Sequence, residues 1–140
     1  MAAVYIPTIK KTVSGVEHIV EPNEISDGFT FTTVSDSTNG AYLARAYDAS
    51  NNVEAEFKDS KTNILFYNAS TSDVSVVIKA GDAYAACNDL TLTVKGQKYQ
   101  FAQIDSAYFK CVSGGDSPMV QGAVHIIPDA SVGVALIENR

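Results

Sequence analysis

The segment from Asp48 to Asn52 is the first with a pattern typical of a metal-binding loop. Asp48, Ser50 and Asn52 place oxygen ligands at relative positions one, three and five, as a calcium-binding loop does. The sixth position is Val53, where such a loop needs glycine, and the twelfth is Asp59, where it has a bidentate glutamate. The sequence on either side favours strands over helices, so we expect a simple turn and assign no metal site. Weak calcium binding at Asp48 stays open.

The segment Gly115-Asp116-Ser117-Pro118 resembles the start of one class of esterases. A serine nucleophile needs a histidine and an oxyanion hole, and the chain has only His18 and His125. No Gly-x-Ser-x-Gly elbow is present, and His125 lies in an apolar stretch typical of a strand. We therefore expect a loop at Ser117 and an ordinary surface or satisfied histidine at 125. No catalytic residue is assigned, and we expect no enzyme.

The two cysteines, Cys87 and Cys111, show neither a CxxC motif nor a nearby histidine pair. This excludes the common zinc and redox spacings, so buried thiols are favoured, while a disulfide stays open. Asn68-Ala69-Ser70 fits a glycosylation sequon, which we interpret as a chance match. No cofactor motif is present. The aspartates fall mostly in predicted connections, where turn formation and solubility explain them; they are Asp27, Asp36, Asp59, Asp73, Asp82, Asp89, Asp105, Asp116 and Asp129.

The composition favours pleated sheet. The 140 residues include 15 Val, 10 Ile and 10 Thr but only 5 Leu. Net charge is -6 and only two arginines are present, so nucleic acid and anionic membranes are poor partners. The first residues lack the pattern of a secretory signal, and no apolar run approaches the roughly 20 residues of a membrane span. We expect synthesis and folding in a cytoplasm.

The elements that must position any site are short strands separated by turns. Eleven candidate segments predict about ten strands and no convincing helix. They are Val16 to Val20, Phe29 to Val34, Ala41 to Tyr47, Val53 to Phe57, Asn63 to Asn68, Val74 to Ile78, Leu90 to Val94, Tyr99 to Ile104, Tyr108 to Val112, Met119 to Ile127 and Val132 to Ile137. Residues 69–73 are expected to form a hairpin connection to residue 74. The fold class is all-β: an antiparallel two-sheet β-sandwich, with a jelly roll as one form it could take. Residues 1–14 are expected to form an extended N-terminal arm, and residues 15–140 a single β-sandwich domain.

Four stretches between residues 63 and 137 carry a family resemblance. They are Asn63 to Ser70, Val74 to Gly81, Asp89 to Val94 and Ile104 to Phe109. Their order of strands and turns resembles the small β-sandwich head decoration, or auxiliary capsid, proteins of tailed bacteriophages and prophages. The chain departs from that pattern at Gln103-Ile104, where Pro-Phe is common, and residues 1–62 have no clear counterpart.

The resemblance implies a non-enzymatic virion structural protein. Homotrimers would bind the major capsid protein on the outer surface of the head and stabilise capsomer contacts, after synthesis in the host cytoplasm. Tyr5, Ile6 and Ile9 are the apolar interface residues that we expect on the arm. An edge strand of the domain itself is the alternative for these three residues. A chain without residues 1–14 is expected to fold but not to associate with capsids.

One alternative function from another class stays open: a receptor-binding or fibre-tip β-sandwich of a phage or cell surface. Fibre proteins usually carry long repetitive shafts, and 140 residues without repeats hold none. A small hydrolase is the least favoured, because no nucleophile and base stand in a recognisable pattern.

Overall fold

The computed structural model describes residues 3–13, 16–19, 30–58, 61–82, 88–112 and 121–138. Thirteen strands and one single-turn helix lie in these ranges: β1 Val4–Pro7, β2 Lys10–Val13, β3 Val16–Ile19, β4 Thr32–Val34, β5 Ala41–Ala44, β6 Ala46–Tyr47, β7 Val53–Ala55, β8 Thr62–Tyr67, β9 Val74–Ile78, β10 Leu90–Val94, β11 Tyr99–Ala102, α1 Ser106–Phe109, β12 Val124–Pro128 and β13 Val132–Glu138. The predicted all-β class is confirmed.

Two sheets form the sandwich. The five-stranded sheet has the order β1-β5-β12-β9-β10, and the four-stranded sheet has the order β11-β8-β13-β4. Neighbouring strands are antiparallel throughout both sheets, except that β1 runs parallel to β5. The ribbons β2-β3 and β6-β7 are separate two-stranded sheets.

The order of the strands is that of a jelly roll. Without β1, the chain runs from β4 through β13 as eight sandwich strands, and every connection but β9 to β10 passes from one sheet to the other. When these eight strands are renumbered 1 to 8 along the chain, the strand order is 1-8-3-6 in the four-stranded sheet and 2-7-4-5 in the five-stranded sheet. This is the arrangement of a double-sheet jelly roll. The β-sandwich prediction is confirmed, in this form.

The core lies between the two sheets. The alternation at Val74, Val76 and Ile78 predicts one buried row, and all three side chains are fully buried there. Ile64 and Phe66 of β8 oppose them from the four-stranded sheet. Because both strands contribute every second residue, they interdigitate as sandwich cores do.

The structure corrects three sequence predictions, one about a connection and two about strands. Residues 69–73 do not form a hairpin, because β8 and β9 lie in different sheets. The predicted strand from Tyr108 to Val112 is a turn of helix followed by an isolated bridge at Lys110, since the Tyr108 N–H bonds to the Asp105 carbonyl at 3.1 Å. The predicted strand from Ala41 to Tyr47 is interrupted at Arg45, whose N–H bonds to Ala55 and directs β6 away toward β7.

The N-terminal residues join both sheets. Val4–Pro7 is the edge strand β1, and the next residues reach the four-stranded sheet, where the Ile9 N–H bonds to the Leu136 carbonyl at 3.0 Å. The expected end of the arm, residue 14, falls between β2 and β3, which pair with each other. In the isolated chain, Val4–Pro7 is therefore an edge strand of the domain, which was the alternative to a free arm. An arm that takes part in attachment stays a prediction.

Candidate interaction site

The N-terminal segment forms one wall of an open cleft. This N-terminal cleft has a volume of about 520 Å³ and is lined by Tyr5, Pro7, Thr8, Ile9, Thr32, Ala46, Tyr47 and Asn51. Ala46 and Tyr47 of β6 and Asn51 of the turn that follows it also line the cleft. Two of the three residues predicted for an interface, Tyr5 and Ile9, thus lie in one cleft.

The third predicted residue, Ile6, lies elsewhere. Successive side chains of a strand point to opposite faces, so Ile6 faces the core while Tyr5 and Pro7 face outward. Ile6 is only 2% exposed and packs in the main hydrophobic cluster. It fixes the position of β1, whereas Tyr5 and Ile9 are half-buried and line the cleft.

Aromatic rings hold Tyr5 in place. Tyr5 and Tyr42 are register partners in β1 and β5, and their rings stack with centroids 5.4 Å apart. His125, the partner of Tyr42 in β12, stacks on the other side at 4.4 Å. Tyr47 meets Tyr5 edge-on at 5.5 Å and donates a hydrogen bond from its hydroxyl to the Tyr42 carbonyl. The cleft wall is therefore ordered by contacts within the chain.

His125 is a satisfied histidine, as the sequence predicts. Its Nε2 donates to the Asn39 carbonyl at 2.7 Å. Burial, and to a smaller extent the positive charge of Lys79, lower the pKa of His125 below its ordinary value. The hydrogen bond to Asn39 raises the pKa but does not cancel this effect. The ring is therefore neutral at pH 7 and contributes to packing.

The N-terminal cleft is chemically neutral. Among the described residues that line it, there is no carboxylate, histidine, cysteine or lysine. Burial raises the pKa of Tyr47 far above that of an exposed tyrosine, so its phenol keeps its proton. Such a lining suits recognition by shape and neutral contacts better than proton transfer.

The described carboxylates mostly organise turns. Asp36 accepts hydrogen bonds from the backbone of Thr38 and Asn39, both at 2.8 Å, and Asp89 accepts one from Ala80 at 2.7 Å. Backbone hydrogen bonds are the main cause that lowers the pKa of both groups, and the Lys79 ammonium adds to the effect at Asp89. The predicted turn role is confirmed for these two residues.

The suspected calcium loop is the turn between β6 and β7. The Asp48 carboxylate accepts bonds from the N–H groups of Ser50 and Asn52, both at 2.9 Å, and from the Asn52 side-chain amide. These bonds, first of all those from Asn52, lower the pKa of Asp48. Within the described part of the chain, no three His, Cys, Asp or Glu residues gather as a metal site. Asp59 lies outside the described residues.

Asn68 is buried and fully engaged. Its amide nitrogen donates to the carbonyls of Ser72 and Val94 at 2.6 and 3.0 Å, and its oxygen accepts from the backbone and hydroxyl of Ser70. The side chain is therefore a brace for the crossing from β8 to β9, and the amide that a glycan would need is 0% exposed. The interpretation of the sequon as chance agrees with this position.

Several other predicted positions lie outside the described residues. These are Asp27, Asp59, Cys87 and the segment from Gly115 to Pro118, while His18 lies in β3 with its side chain undescribed. Cys111 is buried as predicted, with its Sγ 3.7 Å from Asp82 Oδ2. No helix of the described ranges is long and apolar enough to span a membrane.

Sequence reasoning missed the stack formed by Tyr5, Tyr42 and His125. Each of the three has strand-like neighbours in the sequence, but the row exists only because β1 pairs with β5 and β5 with β12. Comparison with known proteins adds no further assignment: no protein-family model, curated protein or solved structure matches this chain.

Proposed function

We propose that this chain is a non-enzymatic virion structural protein that decorates the outer surface of a bacteriophage head. It binds the major capsid protein, as a homotrimer, and stabilises the contacts between capsomers. The observation that carries the proposal is the N-terminal cleft, where Tyr5 and Ile9 are presented on a segment that Ile6 anchors in the core.

Three features support a binding role for this cleft. Its lining carries no charge and combines apolar with polar side chains, so a partner surface can gain both apolar contact and hydrogen bonds there. The tyrosine stack fixes its wall before binding, which reduces the entropy lost on association. Edge strand β1 also offers backbone groups to which a partner could add a strand.

The fold and the resemblance agree with this role. Jelly rolls occur in viral capsid proteins, although lectins and cupins share them, so the fold by itself does not decide function. The resembling stretches include β8, β9 and β10, three neighbouring parts of the sandwich. Attachment in many copies would turn a modest contact at each cleft into firm binding of the shell.

The structure allows a more specific test of this proposal than deletion of residues 1–14. Deleting residues 1–14 would remove buried Ile6 and the backbone bonds of β1, so loss of binding could reflect loss of folding. A double variant, Tyr5→Asp with Ile9→Asp, changes the cleft surface and keeps Ile6. A matched control is Thr91→Asp, which adds a charge at an exposed position of β10, on the opposite edge of the same sheet.

The assay is co-sedimentation with heads assembled in cells that lack the gene for this chain. The wild type and Thr91→Asp are expected to sediment with the heads, and the double variant to stay in the supernatant. Circular dichroism must show the same β signal for all three proteins. Binding of the folded double variant, or failure of the folded wild type to bind, would overturn the proposal.

A further inference from the structure

A second cleft lies on the outer face of the four-stranded sheet. This aromatic cleft is lined by Phe31, Thr33, Tyr67, Ala69, Ser70, Ser131, Val132 and Gly133, and it shares no lining residue with the N-terminal cleft. Its volume of about 520 Å³ falls within the range of small-ligand sites, roughly 300–1,000 Å³.

The register of the sheet creates its aromatic wall. Tyr99, Tyr67, Gly133 and Thr33 are partners in a row across β11, β8, β13 and β4. Tyr99 stacks on Tyr67 with ring centroids 4.6 Å apart and so supports it from the side of β11. On the side of β13 the position belongs to Gly133, which has no side chain to stack against Tyr67.

Gly133 makes room for a third ring. A Cβ atom at this position would lie 3.0 Å from the Cβ of Phe31, closer than such atoms normally approach. Because the glycine leaves that space, Phe31 lies against the sheet with its ring centroid 5.9 Å from Tyr67 and 6.0 Å from Tyr99. The rings are thus packed together before any ligand arrives, which lowers the entropic cost of binding.

Hydroxyl groups surround the rings. Thr33, Ser70 and Ser131 line the cleft, and the described lining contains no charged side chain. The Ser131 hydroxyl donates to Ser35 at 2.9 Å, and that of Ser70 lies within hydrogen-bonding distance of Asn68 and Ser72, so both are held in position. A hydroxyl that donates one bond still has lone pairs that can accept another.

We propose that the aromatic cleft binds a neutral carbohydrate. The face of an aromatic ring is negative and attracts the slightly positive C–H groups on the face of a sugar ring. Sugar hydroxyls both donate and accept hydrogen bonds, which matches Thr33, Ser70 and Ser131. A charged ligand would lose its hydration without gaining a counter-charge in this lining. The activity is separate from attachment to a head and does not depend on it.

The test is a titration of the full chain followed by the NMR signals of its aromatic rings. The probes are maltohexaose, cellohexaose and chitohexaose, each up to about 10 mM, which detects millimolar dissociation constants. A proline-rich decapeptide is titrated in parallel, because such peptides also bind grooves lined by aromatic residues. At least one oligosaccharide is expected to shift the signals of Phe31 and Tyr67 and to leave those of Tyr5 and Tyr42 unchanged.

Two variants and a control complete the test. Tyr67→Ala removes the ring wall, and Thr33→Glu introduces a charge at an exposed rim position without touching the core. Each is expected to weaken binding about tenfold or more. Phe101→Ala alters a ring that is 62% exposed on β11 outside the cleft, and it should bind as the wild type does.

Three results would overturn the proposal: no oligosaccharide shifts the two ring signals, both folded variants bind as well as the wild type, or only the peptide binds. The last result would assign the cleft to a protein segment. Because Thr33→Glu leaves the core intact, a folding defect in Tyr67→Ala does not prevent a decision.

Discussion

Tyr5 and Ile6 are neighbours in β1 that serve opposite sides of the five-stranded sheet. The Ile6 side chain is 2% exposed in the core, whereas the Tyr5 ring stacks on Tyr42 at 5.4 Å and lines the N-terminal cleft. One edge strand thus provides both an anchor in the fold and a presented surface. Under the proposed function, the same strand would hold its place in the fold through Ile6 and contact a partner through Tyr5.

The first prediction separates these two roles by stability. Ile6→Ala removes buried methyl groups and should lower the free energy of unfolding by about 2–5 kcal/mol. Tyr5→Ala loses ring contacts at the surface and should cost about 0.5–1.5 kcal/mol. Urea denaturation followed by tyrosine fluorescence measures both, since the chain has seven Tyr and no Trp. Equal losses for the two variants would contradict the assigned roles.

The second prediction concerns Asn68. Asn68→Ala leaves the carbonyls of Ser72 and Val94 without their amide donor, so we expect a loss of about 2–3 kcal/mol in stability. Ser70→Ala, the matched control, removes an exposed hydroxyl and should cost about 1 kcal/mol or less. A destabilisation by Asn68→Ala no larger than that of the control would show that the crossing does not need this brace.

A third prediction follows from the lowered pKa of His125. In the unfolded chain this group titrates near its ordinary value of 6.5, while the folded protein keeps it neutral to lower pH. The unfolded state therefore binds more protons below that value, so stability must fall as the pH decreases through it.

His125→Gln keeps a side-chain donor for the Asn39 carbonyl but does not titrate in this range. Its stability should change less than that of the wild type between about pH 7 and pH 5. Denaturation curves at several pH values provide the comparison. Parallel pH dependence in the two proteins would mean that His125 does not supply this part of the acid sensitivity.

The fourth prediction concerns calcium. Because three donors already engage the Asp48 carboxylate, we expect no heat of binding when calcium is titrated into the protein in a calorimeter. Addition of a chelator should leave the unfolding temperature unchanged. Saturable heat that Asp48→Asn abolishes would restore the interpretation as a calcium loop.

Local patterns in the sequence predict most of the strands but not their neighbours. The alternation at Val74, Val76 and Ile78 identifies a buried row correctly, and residues apolar on both faces place β8 inside its sheet. In β10 the same alternation occurs, yet Leu90 is 38% exposed because the strand lies at an edge. Alternation predicts which face of the sheet a side chain lies on. It does not predict whether the strand lies at the edge of the sheet, where side chains are less covered.

The crossing between β8 and β9 shows a second limit. A polar connection of six residues, 68–73, fits a hairpin and a passage between sheets equally well. In the structure the buried Asn68 side chain at this crossing bonds to Val94, a residue far along the chain. Long-range bonds of this kind are not visible in a local window.

The candidate site could be predicted only in part. Tyr5 and Ile9 are apolar residues near the terminus that the sequence singles out as interface residues of an arm, and the cleft that they share was not predicted. Their assignment to an interface stays a prediction. The aromatic cleft could not be predicted, because Phe31 reaches Tyr67 over Gly133, and only the pairing of β8 with β13 brings those two positions together.

Cryo-electron microscopy of phage particles from cells that express this chain tests the central claim most directly. The account predicts three-fold clusters of density of the size of this domain over the whole outer surface of the head, and their absence from particles made without the gene. Density confined to the tail, or particles that contain none of the chain, would contradict it.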